Sequence, residues 1–107
     1  MYQDLITELT AKLKAMPEFK SFETLEILIL KDHKKVDYWG TSIKRYYQET
    51  KLRGNGYKSV ISGSIYVNVR DSRNAEMVIK IVAHEASHLV DGVISEEEMI
   101  ARLGEKD

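Results

Sequence analysis

Apolar residues recur three or four positions apart at Tyr2, Leu5, Ile6, Leu9, Leu13 and Met16, and the series stops at the only proline, Pro17. That is the period of an amphipathic helix, whose apolar stripe needs a sheet or another helix to cover it. Proline ends it, because its ring clashes with the preceding turn and it has no amide proton to donate. The period then changes. Residues 24–31, TLEILILK, form a short apolar run rich in branched side chains and read as a buried strand. Residues 38–52, YWGTSIKRYYQETKL, fit either period, but the Gly54-Asn55-Gly56 turn that follows favours a hairpin, and hence a strand. Residues 64–69, SIYVNV, alternate Ile65, Val67 and Val69 with Ser64, Tyr66 and Asn68, as a half-buried strand does.

The helical period returns after Asp71, Ser72 and Asn74, any of which can cap a second helix. Its apolar side is Ala75, Val78, Ile79, Val82, Ala86, Leu89, Val90 and Val93, and Gly92 supplies a stop. The run SEEEMIARLG then opens a short third helix, with Ser95 as N-cap and Glu98 at the third helical position in a capping-box arrangement. Two helices packed on a small, mostly antiparallel sheet, with a short C-terminal glutamate helix, make an α+β fold. At 107 residues the chain accommodates one domain, residues 1–107, with a modest core.

Composition narrows the chemistry. There is no cysteine, so disulfides and thiolate zinc sites are unavailable and a metal has to be held by histidine and carboxylate. The longest apolar runs are too short to span a bilayer and the N-terminus lacks the order of a secretion signal, so a cytoplasmic protein without a membrane partner is expected. A formal net charge of −1 argues against nucleic acid as an obligatory partner. Basic residues nevertheless gather in the middle (Lys31, Lys34, Lys35, Lys44, Arg45, Lys51, Arg53, Lys58) and acidic ones at the end (Glu96, Glu97, Glu98, Glu105, Asp107); the middle reads as a solvated basic loop region, with a surface for an acidic partner as the alternative.

The chemistry gathers in residues 82–92, VAHEASHLVDG. At about 100° per residue, His84 and His88 lie together on the side of the helix away from the apolar stripe, in line with Met77 and Asp91. Imidazoles at i and i+4 can aim ring nitrogens at one point and so fix two ligands of a Zn2+ ion, while Glu85, next to the first, stands beside the metal. Zinc polarises a water and the scissile carbonyl; Glu85 can take the water proton and deliver it to the leaving amine. A third protein ligand is needed, with one position left to water. Glu96, Glu97 and Glu98 on the following helix are the nearest candidates, and Asp91 can instead accept a histidine N–H and support the ligand from behind. His33 reads as a solvated loop residue, and Trp39, Tyr46 and Tyr47 as core or sheet-face residues.

This constellation, from SIYVNV through HEASH to SEEEMIARLG, resembles the zincin metallopeptidases, and within them the small gluzincin-like ones, including minimal forms and those of phages and mobile elements. In these the third ligand is a glutamate on the next helix, often in a Glu-x-x-Ala setting, which Glu98-Met99-Ile100-Ala101 matches. The resemblance implies a zincin-like fold with His84 and His88 as ligands, Glu98 as third ligand and Glu85 as general base. It also implies an edge strand, SIYVNV or the segment before it, that binds substrate in extended form. The chain departs from the metzincin pattern, with Asp91 and Ile94 where that subgroup has glycine and histidine or aspartate. No histidine follows His88, so an oxyanion-stabilising histidine from downstream is missing, and Tyr57 and Tyr66 are candidate substitutes. The expected function is zinc-dependent hydrolysis of a peptide or protein substrate. The alternative is a non-catalytic zinc-binding protein of phage or mobile-element origin that acts by binding a partner protein.

Overall fold

A computed structural model of the chain describes residues 2–30, 40–50, 57–68 and 74–105. In order they form helix α1 (Gln3–Ala15), a 3-10 turn (Pro17–Phe19), strands β1 (Phe22–Leu30), β2 (Gly40–Thr50) and β3 (Tyr57–Asn68), and helices α2 (Ala75–Leu89) and α3 (Glu96–Gly104). Pro17 both ends α1 and opens the 3-10 turn, where its fixed φ is an advantage. The stretch that fitted either period is strand β2, and its Thr50 pairs with Tyr57 across the expected hairpin. The hairpin turn at residues 54–56, His33, Trp39, Val69 and the cap candidates Asp71 and Ser72 lie outside the described residues, as do the side chains of Tyr46, Tyr47 and Tyr57 and most of the basic region.

The α+β class is observed, with one correction. The sheet is mixed rather than mostly antiparallel: its order is β1-β3-β2, with β2 antiparallel and β1 parallel to β3. Alternation has a period of two in either direction, so the side-chain pattern carries no information on strand sense. Residues 64–68 lie in the central strand and not at an edge; among the described residues the edges are β1 and β2. Nor is β1 buried on both faces. Leu25 and Ile27 face the core, while Thr24, Glu26 and Leu28 are exposed.

The helices cover the face that carries Leu25, Ile27, Ile65 and Val67; these pack with Ile6, Leu9 and Leu13 of α1, Val78, Val82 and Ala86 of α2, and Met99 and Leu103 of α3. Burial of each of the larger of these side chains is worth about 1.5–3 kcal/mol relative to exposure, which is what holds α1 and α3 to the rest. On the other face, beside the exposed Leu28, polar side chains pair across β1 and β3: the hydroxyls of Thr24 and Ser62 lie 2.7 Å apart and Ser64 donates to Glu26. Position 63 faces the helices and is crowded, since a Cβ there would come within 2.9 Å of the Phe22 ring, which favours glycine. No helix among the described residues is long and apolar enough to cross a membrane.

Asn74 is the observed cap of α2, its side-chain oxygen accepting from the Met77 amide at 2.9 Å. Asn74→Ala is expected to lower stability by about 1 kcal/mol, with Asn74→Asp near wild type, as read from denaturant midpoints. An unchanged midpoint in the alanine variant would mean that the cap is made by another residue.

Candidate metal centre

The helix with the two histidines is placed from both ends. Asn74 fixes its start, and its C-terminus closes in a Schellman arrangement: Gly92 N–H donates to Ser87 O at 2.9 Å and Asp91 N–H to His88 O at 3.1 Å. The left-handed residue of that turn is Asp91, with φ 54°, and Gly92 follows at φ 75°. Because the chain leaves the helix here, Val93 does not extend the apolar side but is 76% exposed. Ser87 Oγ donates to Ile94 O at 2.7 Å and Ile94 is buried, so the short connection to α3 is tied down.

His84 and His88 project from exposed positions on successive turns of α2, with ring centroids 4.7 Å apart and planes at 86°. Their Nε2 atoms are 3.2 Å apart. In a tetrahedral centre with zinc–nitrogen bonds of about 2.0–2.1 Å, two nitrogens stand about 3.3 Å apart. The pair therefore has the spacing of two adjacent ligands; with no ion between them, one Nε2–H can donate to the other nitrogen over the same distance.

Glu85 lies on another side of the helix, in line with Ile81 and Leu89, and is only 7% exposed. Among the described residues its carboxylate is spent on no hydrogen bond, and no buried polar side-chain atom lacks a partner. Its charge reaches His84. The hydrogen bond to Glu96 raises the pKa of His84 above the ordinary imidazole value; partial desolvation opposes this, and the negative charges of Glu96 and Glu85 add to it.

The glutamate at the histidines is Glu96, whose Oε2 is 2.9 Å from His84 Nδ1. Glu98 is turned the other way: its Oε1 accepts from Arg102 Nε at 3.1 Å, and Arg102 also reaches Glu18 at 3.2 Å. The reason lies in the helix. Ser95 Oγ caps the Glu98 amide, and a residue two positions after Glu96 is rotated by about 200° around the axis. A glutamate four residues before an arginine is also a favourable helical pair. Asp91, considered as a support for the histidines, accepts from Lys44 Nζ at 3.1 Å and so links β2 to the end of α2. Among the described residues, no three His, Cys, Asp or Glu side chains form a group that could hold a metal ion. The two imidazoles fit zinc in type and spacing, and the third ligand is not gathered with them.

No family model, curated protein or solved structure matches the chain.

Proposed function

We propose that the chain is a zincin-like, zinc-dependent peptidase in which His84 and His88 hold the metal through Nε2 and Glu85 is the general base. The observation that carries this is the pair of Nε2 atoms 3.2 Å apart on one helix, with Glu85 the residue that directly follows His84. Bound zinc supplies Lewis-acid polarisation of a water and of the scissile carbonyl. Glu85 takes a proton from the attacking water and gives it to the departing amine, and its buried stem keeps the carboxylate in place between the two transfers. Glu98, the third ligand that the resemblance implies, would have to release Arg102 to take part, so the proposal rests on the two histidines and Glu85.

For the substrate, we take β2 as the binding edge. Strand β2 has β3 on one side and no strand on the other among the described residues, and it packs against α2, to which Lys44 and Asp91 tie it. An extended peptide can add to such an edge through main-chain hydrogen bonds. Of the two segments that the resemblance offers, residues 64–68 lie in the central strand, so we take the preceding strand β2 as the substrate-binding edge.

The test is metal removal. Zinc-loaded protein incubated with a mixed peptide library is expected to produce new termini at defined bonds, EDTA to stop the cleavage, and added zinc to restore it. Cleavage that survives chelation would rule the proposal out. Among the described residues no third ligand stands with the histidines, so the second reading kept is a zinc-binding protein that acts on a partner without catalysis; zinc bound without any cleavage is the result that selects it.

A further inference from the structure

We infer that Glu96 is a positioning residue: its carboxylate holds His84 by Nδ1 so that Nε2 is presented to the metal, and it is not itself a ligand. The purpose assigned to it rests on the metal-site reading above; the orientation of His84 does not. An ionised carboxylate can only accept a hydrogen bond, so the 2.9 Å contact requires the proton of a neutral His84 to sit on Nδ1. Nε2 then carries a lone pair. The two ring nitrogens point to opposite edges of the imidazole, and it is Nε2 that faces His88 at 3.2 Å. A carboxylate bonded at Nδ1 therefore stands behind His84 and away from the point on which the two Nε2 atoms converge. That is the arrangement in which a carboxylate fixes the tautomer and orientation of a ligating histidine.

The placement of Glu96 is not accidental to a mobile side chain. It is the first residue of α3, which starts at the Ser95 cap and is anchored by Met99 and Leu103, both essentially inaccessible to solvent. Ile94, just before the cap, is buried and held by Ser87 of α2, so the two helices fix the distance that Glu96 has to bridge. Glu96 itself is half exposed, with 49% of its side chain open to solvent, so its removal leaves the core intact.

The experiment reads the tautomer directly. In metal-free, 15N-labelled protein at a pH above the titration of His84, long-range proton–nitrogen correlations are expected to show the His84 proton on Nδ1. Glu96→Ala should move it wholly or partly to Nε2, while Glu96→Gln, whose amide oxygen can still accept from Nδ1–H, should retain much of the wild-type tautomer. Zinc affinity should fall about 10–100-fold in the alanine variant and less in the glutamine variant, with one ion per chain kept. Co2+ as a spectroscopic probe should report the same coordination number in wild type and Glu96→Ala. A His84 proton on Nε2 in the wild type, or a tautomer indifferent to Glu96→Ala, overturns the inference. Loss of one ligand from the Co2+ spectrum also overturns it, making Glu96 a ligand. A wild type that shows the tautomer shift but binds no zinc overturns the metal-site reading and leaves the orientation of His84 by Glu96 standing.

Discussion

Replacing His84 and His88 together by alanine is expected to abolish zinc binding and, with it, all stabilisation of the fold by zinc. A ligand that binds only the folded state stabilises it by about 2.7 kcal/mol at a concentration one hundred times its dissociation constant. Wild-type protein should therefore melt several degrees higher with zinc than without, and the double variant should melt at one temperature in both. Both side chains are exposed, so the metal-free variant should keep the fold. Equal zinc in the two proteins by metal analysis would place the ion elsewhere.

The pH dependence of the same measurement has two opposite parts. In metal-free protein the folded-state pKa of His84 is raised, so its link to Glu96 contributes stability that is fully present below the unfolded imidazole value and is lost as pH rises through the folded value. The contribution is small, because both partners are half exposed. Zinc requires the unprotonated nitrogen, so its stabilisation runs the other way, growing as pH rises through the same range. The zinc-induced shift in melting temperature should fall away on the acid side.

The helices were legible because the apolar period of about 3.6 is hard to produce by accident over several turns, and Pro17, Ser95 and Gly92 mark ends by their own chemistry. The sheet's strand sense was not. Ile65 and Val67 alternate alike in a parallel or an antiparallel ladder, and the link between β1 and β3 is made through a hairpin that joins the sheet by its second strand. The position of Glu85 was readable but easily missed: it is four residues from Ile81 and from Leu89, so a helix that buries those two buries the stem of Glu85 with them. The Glu-x-x-Ala setting points to Glu98, but Arg102 four residues on gives it a partner of its own. Glu96, first in the helix after a tight reversal at Asp91 and Gly92, is the carboxylate that the chain path returns to His84. That return depends on the direction in which α3 leaves the turn, which side-chain periodicity does not encode.

Glu85→Gln should leave zinc binding and stability close to wild type and reduce hydrolysis to near background. The amide has the shape of the carboxylate but cannot take a proton from water or return one to the amine, and general acid–base help of this kind is worth about 100- to 10,000-fold. The two requirements together are what separate a base from a structural group. Glu85 is nearly buried, so a variant that destabilised the helix would also lose activity, but would show it in a lower melting temperature and weaker zinc binding. Since the carboxylate makes no hydrogen bond among the described residues, its replacement leaves no partner there unsatisfied, and the expected change in melting temperature is small. Removal of the negative charge should also lower the pKa of His84, because Glu85 is one of the groups that raise it. An NMR titration of His84 in the variant thus checks that Glu85 stands beside the histidine, independently of any substrate. Cleavage that continues at the wild-type rate in Glu85→Gln would show that the proton is handled by another group, and the role given to Glu85 would be wrong.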